Sequence, residues 1–363
     1  MTEKTRQFPC QQCGASLAFL PGTVSLSCSF CGHDNPIASS DEALVEFDFN
    51  AYLAQLDQQP ITVDVMRVHC DGCAALLDLP DQMTAFDCPF CGHAINTQAQ
   101  SQRLIKPQAL LPFAITRKQG QQQFKQWLTS LWFAPSKLKQ FAQRQGALRG
   151  IYVPYWTYDT QTHSTYTGQR GEYYWVSQSY TTRVNGRSVR RTRRVRKTRW
   201  WPASGMVQRP FDDVLVLASA SLPLEITQKL EPWDLPNLLP FAEDYLAGFQ
   251  AQSYQVPLDD GFERAKNIIA PVIHQDVCRD IGGDVQRVHT LQTQHDQVTF
   301  KHVLLPIWIS AYRWKQKLYH FVINGRTGEV QGQRPWSYWK IAAAITALFA
   351  LAGLVAGTIA LLR

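Results

Sequence analysis

An α+β fold class is predicted by three features: eight cysteines in two matched sets, an Asn-Gly turn inside a run of arginines, and a long uncharged C-terminal stretch. Together these predict two small zinc ribbons, a mixed α+β domain with a largely antiparallel sheet and a projecting basic β-hairpin, and one C-terminal transmembrane helix. At 363 residues the chain has room for two or three domains. The expected boundaries are ribbon 1 at 1–40, a linker at 41–65, ribbon 2 at 66–100, the α+β domain at 104–333 with its hairpin at 172–201, and the span at 341–362.

Cys10 and Cys13 are followed after fourteen residues by Cys28 and Cys31, and the set recurs sixty residues on as Cys70, Cys73, Cys88 and Cys91. Ala15, Leu17, Phe30, Gly32 and His33 recur with it as Ala75, Leu77, Phe90, Gly92 and His93. A Cys-x2-Cys pair points two thiolates to one side, and a second pair closes a tetrahedron around Zn2+. The competing framework, disulfides in a secreted domain, needs an export signal, and the opening MTEKTRQF has no apolar h-region. Four cysteines complete each shell, so both zinc ions are structural, and His33 and His93 are expected as surface residues. Phe30 and Phe90 are expected to pack under the metals, and Gly32 and Gly92 to make turns of positive φ. Cys278, without a partner, is expected as a buried apolar side chain.

Net charge is +7, unevenly spread. Residues 1–100 hold three basic and twelve acidic side chains, a balance of −9, which leaves 33 basic and 17 acidic beyond, a balance of +16. Binding to a nucleic-acid backbone rests on Lys and Arg, so acidic ribbons point to protein contact instead.

The linker predicts a short helix near Asn50 to Leu56 and an extended run at Ile61 to Val68. Strands are expected at Leu110 to Thr116 and Gly150 to Tyr158, with helices at Gln119 to Phe133 and Ser136 to Arg144 between them. A strand at Asp213 to Ala218, a helix at Ser221 to Leu230 and an amphipathic helix at Asp259 to Arg279 follow. Strands at Asp284 to Gln294, Val298 to Trp314 and Lys317 to Asn324 close the domain, the last ending in a tight Asn324-Gly325 turn. Val153-Pro154-Tyr155-Trp156 and Leu305-Pro306-Ile307-Trp308 share a pattern that hints at a second internal repeat, and proline confines such strands to edges, bulges or starts.

Asn185-Gly186 signals a two-residue hairpin turn, which sets facing residues at positions summing to 371. Val176 then faces Val195, Tyr174 faces Lys197, Trp175 faces Arg196 and Glu172 faces Arg199, with cation–π partners at two rungs. Arg183 to Arg199 holds nine Lys or Arg and no acid. Arg187, Arg190, Arg191, Arg193, Arg194, Arg196, Lys197 and Arg199 charge both faces of the second strand, so it is expected to project into solvent and bind an anion. Anionic lipid headgroups, an acidic protein and the chain's own acidic ribbons are the candidates.

Ile341 to Leu362 is 22 residues without a charge, about 33 Å as a helix, enough for a bilayer core. Trp336, Tyr338 and Trp339 form an aromatic belt before it, and Arg334 and Lys340 place the bulk of the chain on the cytoplasmic side of the inner membrane. Gly353 and Gly357 offer a small-residue face for homo-oligomers.

With its ribbons, the run RPWSYWK and the stretches YHFVINGRTGEV, TYTGQRGEYYWV, RRTRRVRKTRWWPASG, DIGGD and FKHVLLPIWISAYRW, the chain resembles a bacterial family of zinc-ribbon membrane proteins. Members are often labelled primosomal protein N′ (replication factor Y) or TFIIB-type zinc-ribbon proteins. No G-x4-G-K-[ST] phosphate loop is present, so an ATP-dependent helicase is not expected. The resemblance implies a place beside SPFH/flotillin-like, TPM-domain and PspA-like proteins in envelope stress or membrane maintenance. It carries over no residues beyond the eight cysteines. The expected function is a membrane-anchored, cytoplasmic-facing scaffold, with a membrane-tethered nucleic-acid binder as the alternative. No enzyme is expected: Asp276, Asp280 and Asp284 recur at four-residue intervals, but Gly282-Gly283 interrupts any shared helical face.

Overall fold

The computed structural model describes residues 8–37, 44–54, 62–78, 86–95, 100–135, 148–184, 186–314 and 317–361. Ribbon 1 holds β1 (Ser25–Ser27) and β2 (Asp34–Pro36); β3 (Phe47–Asp48) and α1 (Phe49–Ala54) follow. Around ribbon 2 lie β4 (Thr62–His69), β5 (Leu76–Asp78), β6 (Phe86–Asp87), β7 (Ala94–Ile95) and β8 (Gln100–Ile105). The large domain holds β9 (Ala109–Leu110), α2 (Arg117–Ser130), β10 (Arg149–Val184), β11 (Arg187–Leu217), α3 (Leu224–Thr227), β12 (Leu239–Pro240), β13 (Gln250–Ala251), α4 (Leu258–Ile281), β14 (Val285–Trp314), β15 (Lys317–Asn324) and β16 (Val330–Gly332). The chain ends in α5 (Tyr338–Leu361).

Local chemistry sets the helix limits. Thr116 caps α2 in a box with Gln119, and Leu131 stops it three residues before the expected Phe133. Gly282, at φ 67°, stops α4. Pro112 lacks a donor, so the strand expected at Leu110 to Thr116 shrinks to β9, and the chain beyond donates from Ala114 and Ile115 to the Gly325 carbonyl. The helix expected at Ser221 to Leu230 begins only after Pro223 and continues as a 3-10 turn over Gln228–Leu230. The turn after β15 is five residues long, held by Arg326 and Thr327 N–H groups donating to Asn324 Oδ1. The helix expected at Ser136 to Arg144 lies outside the described residues.

The main sheet runs β11-β10-β14-β15-β16. Four expected strands are pieces of three long ones: β10 has 36 residues, β11 31 and β14 30. The breaks between Asp284–Gln294 and Val298–Trp314, and before Asp213, are bulges at which Gln297 and Asp213 take φ 51° and 52°. All three strands run from a head, where ribbons, helices and sheet pack, into a blade covered on one face by α4. Pairing of β14 to β10 ends at Gly171, beyond which β10 and β11 continue as a two-stranded hairpin.

The head is a structural duplication. One unit is β9, α2, β10, β11; the other is β13, α4, β14, β15. β13 runs parallel to β10 at Ile151–Tyr152, and after Pro154 the antiparallel partner β11 takes over at Tyr155. β9 runs parallel to β14 at Val303–Leu304, and after Pro306 the antiparallel partner β15 takes over at Ile307. Trp156 Nε1 donates to the Val256 carbonyl at 2.9 Å, and Trp308 Nε1 to the Ile115 carbonyl at 2.8 Å. Each acceptor precedes the residue that caps a helix, Pro257 or Thr116. A local twofold axis therefore passes through the Val153↔Leu305 pair. Both prolines lie in interior strands, where one edge partner hands over to the next and a missing N–H breaks no ladder.

Alternate residues of a strand face opposite ways, and the ribbons use both faces. Ribbon 1 packs through Leu17, Phe19 and Leu26 into the core of Tyr152, Leu304 and Trp308. Ribbon 2 packs through Val68, Leu77 and Phe90 into that of Ile151, Val153 and Leu305. Between the ribbons the chain is pinned by buried Lys301, whose Nζ lies 2.7 Å from Glu46 Oε1 and 2.8 Å from Asp213 Oδ1.

Candidate metal centres, knuckle face and basic arm

In ribbon 1 the Sγ atoms of Cys10 and Cys31, and of Cys13 and Cys28, are 3.6 Å apart. In ribbon 2 Cys70 and Cys91 are 3.5 Å apart, and Cys73 and Cys88 3.6 Å. Each set of four ligand atoms lies within 4.8 Å. A tetrahedral zinc with Zn–S bonds of about 2.3 Å demands sulfur separations of about 3.8 Å, whereas a disulfide needs about 2.05 Å. All nine cysteines are free thiols, and no histidine joins either cluster. These are two structural zinc sites.

Each knuckle is folded by its own backbone. Cys10 N–H donates to the Ala15 carbonyl and Cys70 N–H to that of Ala75, while Cys28 and Cys88 donate to His33 and His93. Gly32 and Gly92 take φ 74° and 73° as expected; Gly14 takes φ 74°, but ribbon 2 places Ala74 there at φ 59°. Four crowded thiols cannot all ionise without a cation. Burial works against ionisation of Cys10, yet the Cys13 and Gln12 N–H groups bring it down to about 6; the His33 N–H favours ionised Cys31, yet burial and the other three sulfurs push it up to about 12. Zn2+ would supply the charge that holds all four as thiolates. Asn35, which sequence reasoning missed, joins the two halves of ribbon 1: it accepts from Gln11 N–H at 2.8 Å and donates to the Leu26 and His33 carbonyls at 3.1 Å. The sixty-residue offset puts Ile95 at the same place in ribbon 2, and both are 4% exposed.

The two ribbons differ in what covers them. Phe90 is 1% exposed, and its carbonyl accepts from His320 Nε2 of β15 at 2.8 Å. Beside it Arg149 pairs with Asp87 at 2.9 Å. Phe30, expected under its metal, is 82% exposed. The cause is docking: ribbon 2 presses its second knuckle onto the sheet, whereas ribbon 1 docks through Phe19, whose N–H reaches the Ala247 carbonyl at 2.9 Å. Leu20 and Val24 are exposed on the same ribbon as Phe30.

The hairpin pairs with every sum equal to 371 from Thr160↔Phe211 to Val184↔Arg187, so the expected rungs stand, and the eight basic residues of the arm are all exposed. The cation–π contacts fall on diagonals, not across rungs, because the twist of a two-stranded ribbon brings diagonal neighbours within reach. Arg196 lies 4.1 Å from the Tyr173 ring, Arg199 5.3 Å from Tyr174, Arg193 5.5 Å from Tyr180 and Arg194 5.8 Å from Trp175. Glu172 pairs with Arg170 at 3.0 Å; among the described residues no carboxylate reaches any of the eight. The ribbons meet β10 at Arg149 to Val153, so about 60 Å of strand separates them from the arm, many Debye lengths. Docking of the ribbons on their own arm is excluded in this arrangement. Their acidity therefore says nothing for or against a nucleic acid on the arm.

The three aspartates are occupied by structure. Asp276 pairs with Arg209 and Arg279, each at 2.8 Å, Asp280 accepts from Tyr166 Oη at 2.5 Å, and Asp284 accepts from Tyr173 N–H at 2.7 Å. Cys278 is half-buried on α4 with its Sγ 3.6 Å from His274 Nδ1, not enclosed as expected. Among the described residues no helix is long and apolar enough to cross a membrane. α5 has 24 residues, and Ile345, Leu348, Phe349 and Leu351 are at least half exposed around it.

Residues 66–100 match the family model described as the FORGETTER1 second zinc ribbon domain. The uncharacterized protein YdjG of Bacillus subtilis (strain 168) is 27% identical over 355 residues, covering 93% of this chain and 92% of that protein. No solved structure matches. The duplicated thiolate clusters and the ribbon match together make this chain a tandem zinc-ribbon protein.

Proposed function

We propose that the protein is a membrane-anchored scaffold, facing the cytoplasm, in which ribbon 1 holds a protein partner and the arm meets an anionic surface. The observation that carries this reading is the contrast between equivalent knuckles: Phe90 is sealed against a strand at 1% exposure, Phe30 is open at 82%. The internal copy supports this: there the aromatic ring is buried and the backbone carbonyl receives a donor. Anchoring rests on α5, whose exposed apolar circumference is stabilised by lipid or by a partner and not by water. The reading assigns no catalysis, and SPFH/flotillin-like, TPM-domain or PspA-like proteins are the partners that the resemblance points to.

The test is affinity purification of the full chain from membranes. Phe30→Ala should lose partners that Trp201→Ala, another exposed aromatic, keeps; equal recovery would remove the knuckle from the reading. Alkaline extraction should leave the full chain with membranes and release a chain ending at Ser337. A second reading, nucleic acid on the arm, rests on exposed arginines set beside aromatic rings, which suit phosphates and stacked bases. Filter binding decides it, since the scaffold reading expects no salt-dependent retention of DNA or RNA.

A further inference from the structure

β11 is the outermost strand of the sheet, and part of its free edge is walled. Tyr155 faces Leu217 and Trp156 faces Val216, and Ala218 N–H donates to the Pro154 carbonyl at 3.0 Å. Hydrogen-bonded pairs alternate along an antiparallel ladder, so Val216 is bonded inward while Leu215 and Leu217 direct N–H and C=O outward. The strand ends at Leu217, and the Ala218 carbonyl, which has no N–H to meet on Pro154, accepts from Gln255 and Val256 N–H groups instead.

A cleft of about 770 Å³ lies over these groups. One wall, on the ribbon 2 face, carries Leu224, Trp233 and Leu235; the other is α4, with Arg264, Ile268 and Val272. Tyr155 is 4% and Trp233 8% exposed, and neither Tyr155 Oη nor Trp233 Nε1 has a hydrogen-bond partner. Buried donors without partners are costly, so their shared position in the lining of one cleft calls for an acceptor. Glu231 adds an exposed carboxylate to the same lining. Arg264 is exposed on the α4 wall and makes no ion pair among the described residues.

We propose that this cleft docks an extended apolar peptide from a partner protein, added as a strand beside Asp213 to Leu217. Strand addition uses main-chain bonds for affinity and alternating side-chain pockets for specificity, and an edge between two walls provides both. The peptide's carbonyls meet the Leu215 and Leu217 N–H groups, and its N–H groups meet their carbonyls. Its side chains enter alternately beside Trp233 and beside Ile268. Charge complementarity with Arg264 places an acidic residue on the α4 side. An acyl chain or other small apolar molecule would fill the volume but leave the strand edge unpaired. This site lies apart from the Phe30 knuckle and the arm, and stands or falls independently of both.

The test is selection of a phage-displayed random octapeptide library on the full chain in nanodiscs, followed by anisotropy with the synthetic winners. Enriched peptides should alternate apolar residues and carry one Asp or Glu. N-methylation of alternate amides should weaken binding at least tenfold in one of its two registers. Leu215→Pro removes an outward N–H that no ladder uses and should weaken binding similarly with an unchanged melting temperature, while Leu215→Val stays within about threefold. Absence of enrichment, equal binding of both N-methylated registers and the parent, or winners that ignore Leu215→Pro would each overturn the proposal. A folding failure of the proline variant leaves the N-methyl comparison to decide.

Discussion

Two equivalent phenylalanines allow a controlled comparison. Phe90→Ala empties a ring site that is 1% exposed between ribbon 2 and the sheet, whereas Phe30→Ala trims a ring that is 82% exposed. Burial of that kind makes Phe→Ala cost about 3–5 kcal/mol, while exposed substitutions stay within about 0.5 kcal/mol. The loss falls on the seating of ribbon 2, so its opening becomes roughly 10²- to 4 × 10³-fold more frequent, at tenfold per 1.4 kcal/mol. The assay is chelator-driven zinc release from the full chain, which should separate into two phases. Phe90→Ala should accelerate one phase by that factor and leave the other alone; Phe30→Ala should change neither. Equal acceleration by both variants would show that Phe30 supports its ribbon from within, and the exposed-knuckle argument would fail.

Ala74 at φ 59° is strained where Gly14 is not, so Ala74→Gly should slow metal loss from ribbon 2, by up to about tenfold, and Gly14→Ala should hasten it from ribbon 1. Cys70→Ser with Cys73→Ser should halve the zinc content measured by emission spectroscopy from two ions per chain to one. Replacing Arg190, Arg191, Arg193, Arg194 and Arg196 by Ser should abolish salt-sensitive binding to anionic vesicles, at about 1 kcal/mol per residue, with no change in melting temperature. Burial and neighbouring Glu46 push the Asp159 carboxyl up to about 7, so the folded state keeps a proton that the unfolded chain releases near pH 4. Stability therefore falls as pH rises between about 4 and about 7, and Asp159→Asn should flatten that part of a denaturation-versus-pH curve.

The metal sites and the hairpin were legible because each is written in short-range spacing: two cysteine pairs, and a turn that fixes register by arithmetic. Strand length was not, because its interruptions look like breakers. Gly168 and Gly171 sit inside β10 where a Cβ would come within 2.3 Å of the Arg287 carbonyl and 2.6 Å of a Val285 methyl, so they mark close approach and not a turn. Pro202 and Pro210 are carried in β11, an edge strand with a free side. The exposure of Phe30 could not be read from its motif either, since the identical motif buries Phe90. What differs lies in β15, some 230 residues away in sequence, where His320 receives one knuckle, while among the described residues nothing receives the other.

β10 leaves the head near Tyr155 and turns back at Val184, a reach of about 95 Å in strand. Mechanically this is a lever with its fulcrum at the twofold centre between Val153 and Leu305. A tilt of about 5° there sweeps the tip by roughly 8 Å, about the width of two strands. The ribbons pack on both sides of that fulcrum, so a small change in how either one seats would be multiplied at the nine basic residues of the far end.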